Sequence, residues 1–480
     1  MRGYYRHTKI IATIGPATDS EEKLGQLITA GVDVLRLNMA HGSGDWAKTL
    51  IERVRRVSDK LGRHVAVMMD VKGPEIRTGV VETPIELAIG DQFEFYTDVP
   101  TPGVRGVSVN YPGLPTDVSI GATILVDSGL MRLQVQDLDA THVRCKVLTP
   151  GKLGSRRHVN LPGMMVNLPS LTEKDERDVR AGVEAGIDFV ALSFVRKSDD
   201  ILLLRDFLNH LGSRARIIAK IEDQSGVRNM HSIIKVTDAV MVARGDLGIE
   251  IDYHTLPLVQ SQMVDLCLKE GKPVIIATHL LESMISAPMP TRAEISDIST
   301  AVRERADAVM LSGETTTGQY PLECVDVMKN IIATIEPTEK RPRNESIELE
   351  QPKAKMLRAA TVLARELGDD SGIVVFTRSG FLAYTLAALR GVGVPIYAFT
   401  DDVETFRHML LPWGVEPFLM PFSDDPEETV KNALALLKRN EWVDDAAWLV
   451  VITNVLAEGR VVDALQLRQV EQGPPNSRKD

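Results

Sequence analysis

Residues 217–246 read IIAKIEDQSGVRNMHSIIKVTDAVMVARGD, and this stretch decides the fold. Two short apolar runs, IIAKIE from Ile217 and AVMVARGD from Ala239, flank a segment of helical length and period. Continuous Val/Ile/Ala runs suit strands buried on both faces, and a crossover helix makes such strands parallel. Runs of the same kind recur as KIIATIG from Lys9, VLRLNMA from Val34, VAVMMDV from Val65, FVALSFV from Phe189, PVIIATH from Pro273 and AVMLSG from Ala308. Eight strand–helix units in one chain predict a closed (β/α)8 barrel rather than an open sheet. The helices between are legible too, as in SEEKLGQLITAG with Ser20 as its cap and TLPLVQSQMVDLCLKEG after the sixth strand.

The third unit is interrupted. Between Thr78 and about Pro162 the pattern turns alternating and turn-punctuated, as in QFEFYTDV, ATILVDSGLMRLQV and HVRCKVLT, which reads as an all-β insertion. It leaves the barrel at a strand's C-terminal end, over the mouth where barrel active sites lie, so a lid is expected. After Ile335 the charged, proline-bearing segment EPTEKRPRNESIELEQPK marks a boundary, beyond which GIVVFT from Gly372, VPIYAFT from Val394 and WLVVIT from Trp448 predict a further α/β domain ending in the polar tail GPPNSRKD. The expected domains are 1–79 and 163–336 for the barrel, 80–162 for an inserted β-barrel lid, and 337–480 for a C-terminal α/β domain of regulatory type.

Composition narrows the function. With 44% apolar and 25% charged residues the chain is globular, and its formal charge of -11 argues against nucleic-acid or anionic-membrane partners, which need excess Lys and Arg. Cys145, Cys267 and Cys324 are too few and too scattered for a disulfide framework or a zinc spacing. The N-terminal residues lack a signal-peptide core and no 18 apolar residues run together, so a cytoplasmic protein is expected.

Polar residues gather where the apolar runs end: Arg36 and Asn38, Asp70, Ser193, Lys220 and Glu222, Arg244 and Asp246, Thr278, Ser312 and Glu314. Any one suits a cap or a solvated ion pair. Recurrence on seven of eight strands points to a single polar face. Lys220 and Glu222, two apart in a buried strand, share one side of the pleat. A structural salt bridge is one reading. The other takes Glu222 together with Asp246, which ends the next strand, as a carboxylate pair suited to Mg²⁺, a hard cation that takes few protein ligands. Gly245 and Gly248 flank Asp246, where main-chain N–H groups would meet an anion or form a plain turn.

The strings DVKGPEIRTG from Asp70, VNLPG from Val159, IIAKIED, MVARGDLGIEI, ESMI from Glu282, PMPTRAEISD and MLSGETTTGQYP resemble, in order and spacing, the blocks of the pyruvate kinase family. The likeness is dense from residue 8 to about 335 and looser over 372–420, where SGFLAYTLAAL and LPWGVEP are similar to the family's C-terminal domain. It implies phosphoryl transfer from phosphoenolpyruvate to ADP, giving pyruvate and ATP in glycolysis, by a homotetramer. It implies Mg²⁺ (or Mn²⁺) on Glu222 and Asp246, and K⁺ on Asn38, Asp70 and the carbonyl of Val71. Lys220 would act on the transferring phosphoryl and the enolate, with Ser312 and Glu314 in the water-linked protonating set. Gly245, Asp246 and Thr278 would hold substrate, Arg36 and Arg77 would face the phosphates, and His41 with Arg156 and Arg157 would face the nucleotide.

Departures from the family pattern are also visible. Ala40 replaces a serine that ligates K⁺ in the family, whereas Glu75 matches the K⁺-requiring branch and, as a carboxylate, calls for a cation. Arg157 and His158 stand beside VNLPG in place of a common lysine, Thr317 replaces a nucleotide-side lysine, and His279 a glutamine. In the C-terminal domain Thr377, Arg378, Ser379 and Gly380 are followed by Phe381 and Leu382, and GRVVDAL replaces the family's closing segment, so effector control would be altered. A weakened phosphoenolpyruvate or nucleotide sensor of the same fold is the alternative; a Mg²⁺-dependent aldolase or lyase would need neither the lid's basic pair nor Lys220.

Overall fold

The computed structural model describes residues 5–164, 166–339, 349–368, 370–391, 393–457 and 460–470. Eight parallel strands close into a barrel: Lys9–Ile14 (β1), Val34–Asn38 (β2), Ala66–Val71 (β3), Phe189–Leu192 (β4), Arg216–Ile221 (β5), Ala239–Ala243 (β6), Val274–Ala277 (β7) and Ala308–Leu311 (β8). Each pairs with its neighbours in the sequence of units, and β1 pairs with β8. The first intervening helix, Glu21–Ala30, starts where expected, with the Ser20 side chain accepting from Lys23 N at 3.2 Å.

Within each continuous apolar run the pleat still sorts side chains. Ile11, Val34, Met68, Phe189, Ile218, Met241, Ile275 and Met310 pack together inside the barrel. Their neighbours Ile10, Leu35, Val67, Val190, Ile217, Val240, Ile276 and Val309 pack outward against the helices. Because Ile218 faces inward, so do Lys220 and Glu222, two and four residues on.

The N-terminal floor is built by one device used four times. Asp33, Asp188, Asp238 and Asp307 immediately precede the even-numbered strands, and each accepts the main-chain N–H of Ile10, Val67, Ile217 and Val274 respectively, at 2.7–2.9 Å. Each of these aspartates also donates its own N–H back to that same residue's carbonyl. An arginine neutralises each carboxylate: Arg6, Arg55, Arg205 and Arg390 in turn. The arrangement locks β1 to β2, β3 to β4, β5 to β6 and β7 to β8 at their starts.

The insertion has its own apolar core, including Phe93, Phe95, Ile124, Leu133, Val143 and Val147. Its strands form a two-stranded sheet, Ile85–Leu87 with Gly151–Leu153, and a six-stranded sheet in the order Val159–Asn160, Thr123–Val126, Met131–Leu138, His142–Val147, Gln92–Tyr96, Gly106–Ser108. The C-terminal domain is a five-stranded sheet of Gly372–Phe376 (β9), Ile396–Thr400 (β10), Val415–Leu419 (β11), Trp448–Ala457 (β12) and Arg460–Gln469 (β13), ordered β11-β10-β9-β12-β13. Sequence pattern foresees β9, β10 and β12. It misses β11, VEPFL, because Pro417 argues against a strand; the structure tolerates it there because β11 is an edge. Residues 340–348 of the expected linker, part of GRVVDAL and the polar tail lie outside the described residues. Among the described residues no helix is long and apolar enough to cross a membrane.

This last domain closes the barrel floor. Phe406, Leu410 and Leu411 join the interior cluster. Arg390, 1% exposed, reaches Asp307 across the domain boundary, Lys9 Nζ donates to Val415 O at 2.7 Å, and His408 Nε2 donates to Asp188 O at 3.1 Å. Burial, with Arg216 adding to it, pulls the His408 imidazole down to about 3, so it is held neutral. An imidazole depressed in the folded state contributes stability that is whole above its unfolded value near 6.5 and is lost as pH falls toward 3. The urea midpoint should therefore fall more steeply between pH 6.5 and 4.5 for the native chain than for His408→Gln, by at most about 1.4 kcal/mol per pH unit. Parallel pH profiles would refute the linkage.

Candidate active site

At the carboxyl end of the barrel the inward positions change from apolar to charged. Lys220 Nζ donates to Ser193 Oγ at 2.7 Å and lies 3.0 Å from both Asp70 Oδ1 and Glu222 Oε1. Asp70 also receives Arg36, whose Nε donates to Oδ2 at 2.7 Å while Nη1 reaches Thr13 Oγ1 at 3.0 Å. Ser193 Oγ donates onward to Val71 O at 2.8 Å. Side chains from β1, β2 and β3 and from the ends of β4 and β5 thus meet at one height, because each occupies an inward position of its strand.

The electrostatics follow from burial among opposed charges. Burial alone would pull the Lys220 ammonium down, but Asp70 and Glu222 outweigh it and hold the group above the ordinary lysine range. Burial likewise works against the Asp70 charge, and Lys220 and Arg36 overcome it to hold that carboxyl below the usual range. Glu222 differs. Burial pushes it up to about 7; Lys220 opposes the rise, but Asp246 and Asp70 add to it. The Phe194 N–H, presented by a left-handed backbone at φ 52°, donates to Glu222 Oε2 at 2.7 Å and fixes its direction.

Asp246 lies in the first turn of the short helix Arg244–Glu250, and its carboxylate has no hydrogen bond or ion pair among the described residues. A partnerless carboxylate beside one whose ionisation is opposed by its acidic neighbours is a donor set that fits a hard divalent cation, with positions left for water and substrate oxygens. The Gly245 N–H is not directed outward. It donates to Thr278 Oγ1 at 2.8 Å, and Arg244 bonds the carbonyls of Ala277 and Thr278. Thr278 and His279 are both left-handed, at φ 66° and 55°, a conformation costly for side chains branched like threonine.

Other expected residues are placed differently. Glu314 is buried with both oxygens engaged by main-chain N–H groups, of Leu281 at 3.0 Å and Ser312 at 2.7 Å, so its carboxylate holds two loops together. Ser312 Oγ is buried with no partner among the described residues. Arg77 pairs with Glu75 at 2.7 Å and bonds Arg156 O at 2.8 Å, tying the barrel to the insertion. Glu75 also meets Lys72 at 2.9 Å, so the expectation that its charge calls for an external cation is corrected: two side chains already neutralise it. His41, Arg156 and Arg157 are exposed on the rim, Arg157 facing Asp127 at 3.2 Å. The side-chain oxygen of Asn38 accepts the Ala40 N–H at 3.1 Å.

Sequence reading missed Thr13, the Phe194 N–H and Lys174. Lys174 Nζ bonds the carbonyls of Met39 and Gly42, bracketing His41. Its only sequence signal was its place in a helix-starting Thr-Glu-Lys-Asp run, which reads as a capping box and is one.

Comparison with known proteins places these features in context. The family model described as pyruvate kinase, barrel domain, matches residues 5–325, and that described as pyruvate kinase, alpha/beta domain, matches 354–463. Plastidial pyruvate kinase 2 of Arabidopsis thaliana is 40% identical over 475 residues, spanning 97% of this chain and 81% of its own. A pyruvate kinase of Staphylococcus aureus strain MRSA252 is 38% identical over 456 residues, spanning 94% and 78%. The crystal structure of a pyruvate kinase from Cryptosporidium parvum superposes with a TM-score of 0.91 at 33% identity, covering 97% of this chain and 96% of that one.

Replacing Lys220 with methionine strands the buried Glu222 carboxylate and leaves Asp70 with Arg36 alone. Lys220→Met should lower stability by about 3 kcal/mol at pH 8, and less at pH 5.5, because Glu222 and Asp70 can then take up protons. A melting-temperature deficit that does not change with pH would overturn this account of the cluster.

Proposed function

The chain belongs to the pyruvate kinase family, and from that premise we propose how its residues divide the work. It transfers a phosphoryl group between phosphoenolpyruvate and ADP, giving pyruvate and ATP, and as a kinase of this family needs a divalent metal. The observation that carries the assignment is the Lys220 ammonium, held charged at 3.0 Å from both Asp70 and Glu222 at the barrel mouth. Phosphoryl transfer depends on positioning and charge stabilisation more than on covalent chemistry, and a buried, permanently charged donor is suited to that.

In this reading Lys220 stabilises the negative charge on the moving phosphoryl and then on the enolate oxygen left behind. Arg36, oriented by Asp70 and Thr13, faces the phosphoryl oxygens beside it, and Arg77 approaches from the insertion's base. Thr278 and Gly245 position the substrate carboxylate; the Gly245 N–H rests on Thr278 Oγ1 and that hydroxyl on Ala277 O, so both donors would turn from these acceptors to the carboxylate. Glu222 and Asp246 would hold Mg²⁺ (or Mn²⁺), which when bound supplies charge neutralisation for the phosphoryl and carboxylate oxygens. The proton that converts enolate to pyruvate would come from a water bonded to the Ser312 hydroxyl, whose buried oxygen lacks a partner among the described residues, while Glu314 fixes the Ser312 main chain. His41 and Arg157 on the rim face the nucleotide. We take 80–162 as the lid that excludes water from the donor, with the barrel in 1–79 and 163–336 and the C-terminal domain in 337–480.

For K⁺ the donors fit only in part. Asn38 Oδ1, Asp70 and Val71 O each already accept a hydrogen bond, Ala40 supplies no oxygen, and Glu75 is neutralised. We assign K⁺ no step and expect weak activation. Assembly and compartment are read from the family alone, as a homotetramer in the cytoplasm, which light scattering and fractionation test.

Two outcomes check the central reading. Lys220→Met should lower kcat by about 10²-fold or more while phosphoenolpyruvate binding persists, since the lost contact acts in the transition state; retention of about a tenth of the native rate would defeat the role. A KCl titration at constant ionic strength with a bulky organic cation should show shallow activation at high K⁺, shifted to lower concentration by Ala40→Ser. An unchanged titration in that variant would remove K⁺ from the Asn38–Asp70 position.

A further inference from the structure

Three of the sequence blocks, VNLPG, IIAKIED with the Gln224 that follows it, and MVARGDLGIEI, meet at a residue with no role in the reaction as described. Glu250 ends the helix that carries Asp246 one turn earlier. Its side-chain oxygen Oε1 accepts from Asn160 Nδ2 at 2.8 Å, and Asn160 lies on the strand by which the insertion returns to the barrel. Its main-chain carbonyl accepts from Gln224 Nε2 at 2.6 Å, and Gln224 follows Glu222 by two residues. Asn160 is 3% exposed and Glu250 8%. The small cavity of about 50 Å³ beside them is lined by Asn160, Glu250, Gln224, Asp223 and Phe194, the residue whose N–H directs Glu222.

A carboxylate in this place is unfavourable by itself. Burial pushes Glu250 up to about 7, with only the Asn160 hydrogen bond and Arg196 opposing, and no cation forms an ion pair with it among the described residues. An apolar side chain would satisfy packing at least as well. What the carboxylate supplies instead is direction: a hydrogen bond has a preferred geometry and an apolar contact does not.

We propose that Glu250 is a positioning residue for phosphoryl transfer, joining the returning strand of the insertion, the Glu222 segment and the Asp246 helix through Asn160 and Gln224 so that the foot of the insertion sets the placement of the metal carboxylates. The inference rests on the reading of Glu222 and Asp246 as metal ligands. It makes the lid's placement part of the geometry of the carboxylate pair, although the insertion contributes neither carboxylate.

The test uses the full chain with Asn160→Leu, Glu250→Leu, Gln224→Leu, Glu250→Gln and the Asn160→Leu/Glu250→Leu pair. Rates are measured against phosphoenolpyruvate and against MgCl2, and amide exchange is followed over 157–163 and 244–250. Loss of a group that orients a metal ligand lowers activity or metal affinity by about 10- to 100-fold. The three leucine single variants should therefore lower kcat and raise half-saturating MgCl2 by about tenfold or more, with KM for phosphoenolpyruvate moving far less. Glu250→Gln, which keeps an acceptor for Asn160, should recover most of the loss. The pair should be no worse than the poorer single. Asn160→Leu should also quicken exchange in 244–250, a segment it does not belong to. Additive losses, a glutamine variant as poor as the leucine one, or unchanged exchange in 244–250 would overturn the proposal. Gln224→Leu leaves the Glu250 side chain paired and keeps the test open if the other leucine variants fail to fold. Exchange that spreads as expected while MgCl2 dependence stays native would uphold the joint and remove the metal assignment of Glu222 and Asp246.

Discussion

Keeping the Lys220 ammonium charged inside the barrel is the constraint from which the rest of the mouth follows. A buried cation must be surrounded by acceptors, and in a closed parallel barrel these can come only from inward positions at the same height on nearby strands. Asp70, Ser193 and Glu222 occupy those positions. Asp70 in turn needs Arg36 to stay ionised at that depth, and Arg36 needs Thr13 to hold its fork. One buried charge therefore recruits residues from five successive strands or their ends. Two cations then face three carboxylates once Asp246 is included, which leaves the cluster short of positive charge. Burial raises Glu222 to about 7, and the two neighbouring carboxylates add to that rise. A site in this state favours a divalent cation before it can favour a polyanionic substrate.

The two ends of the same strands solve opposite problems. At the floor, four aspartates are consumed by main-chain N–H groups and arginines, and the C-terminal domain seals them with Arg390, Trp413 and an apolar plug. At the mouth, the Asp246 carboxylate and the buried Ser312 hydroxyl remain without partners among the described residues. A strand bolted at its start can carry strain at its end, and the left-handed residues Phe194 and Thr278 sit just beyond β4 and β7.

Much of this is legible in the amino-acid sequence. The continuous runs from Lys9 to Ala308 specify buried parallel strands, and the spacing of Ile218, Lys220 and Glu222 alone places a lysine and a carboxylate on one inward face. The switch to alternation after Thr78 marks the insertion. Less can be read where the chemistry is carried by the main chain. The N–H groups of Phe194 and Leu281 hold catalytic-face carboxylates, and a main-chain donor has no residue signature. Glu75 misleads for a related reason: its formal charge is visible in sequence, while its neutralisation by Lys72 and Arg77 depends on how the loop folds back. The floor aspartates repeat, but at spacings of 155, 50 and 69 residues that conceal the symmetry relating them, because the insertion and the helices differ in length.

An acidic protein that handles polyanions must separate its overall charge from its local one. The formal -11 repels polyanions at a distance, and screening confines its reach to about 8–10 Å in cellular salt. Inside that distance the cleft presents Lys220, Arg36, Arg77 and the rim arginines Arg156 and Arg157, each positioned by an acceptor or a turn. The insertion is what makes this separation effective. It carries its own core, so it can meet the barrel as a rigid piece, and in the lid role proposed for it, it would lower the local dielectric in which Lys220 acts. The strength of a fixed ammonium toward a moving phosphoryl group depends on that exclusion as much as on its distance. On that proposal lid and lysine are parts of one electrostatic device, and the contacts that fix how the lid meets the barrel belong to the active site as fully as the residues that would touch substrate.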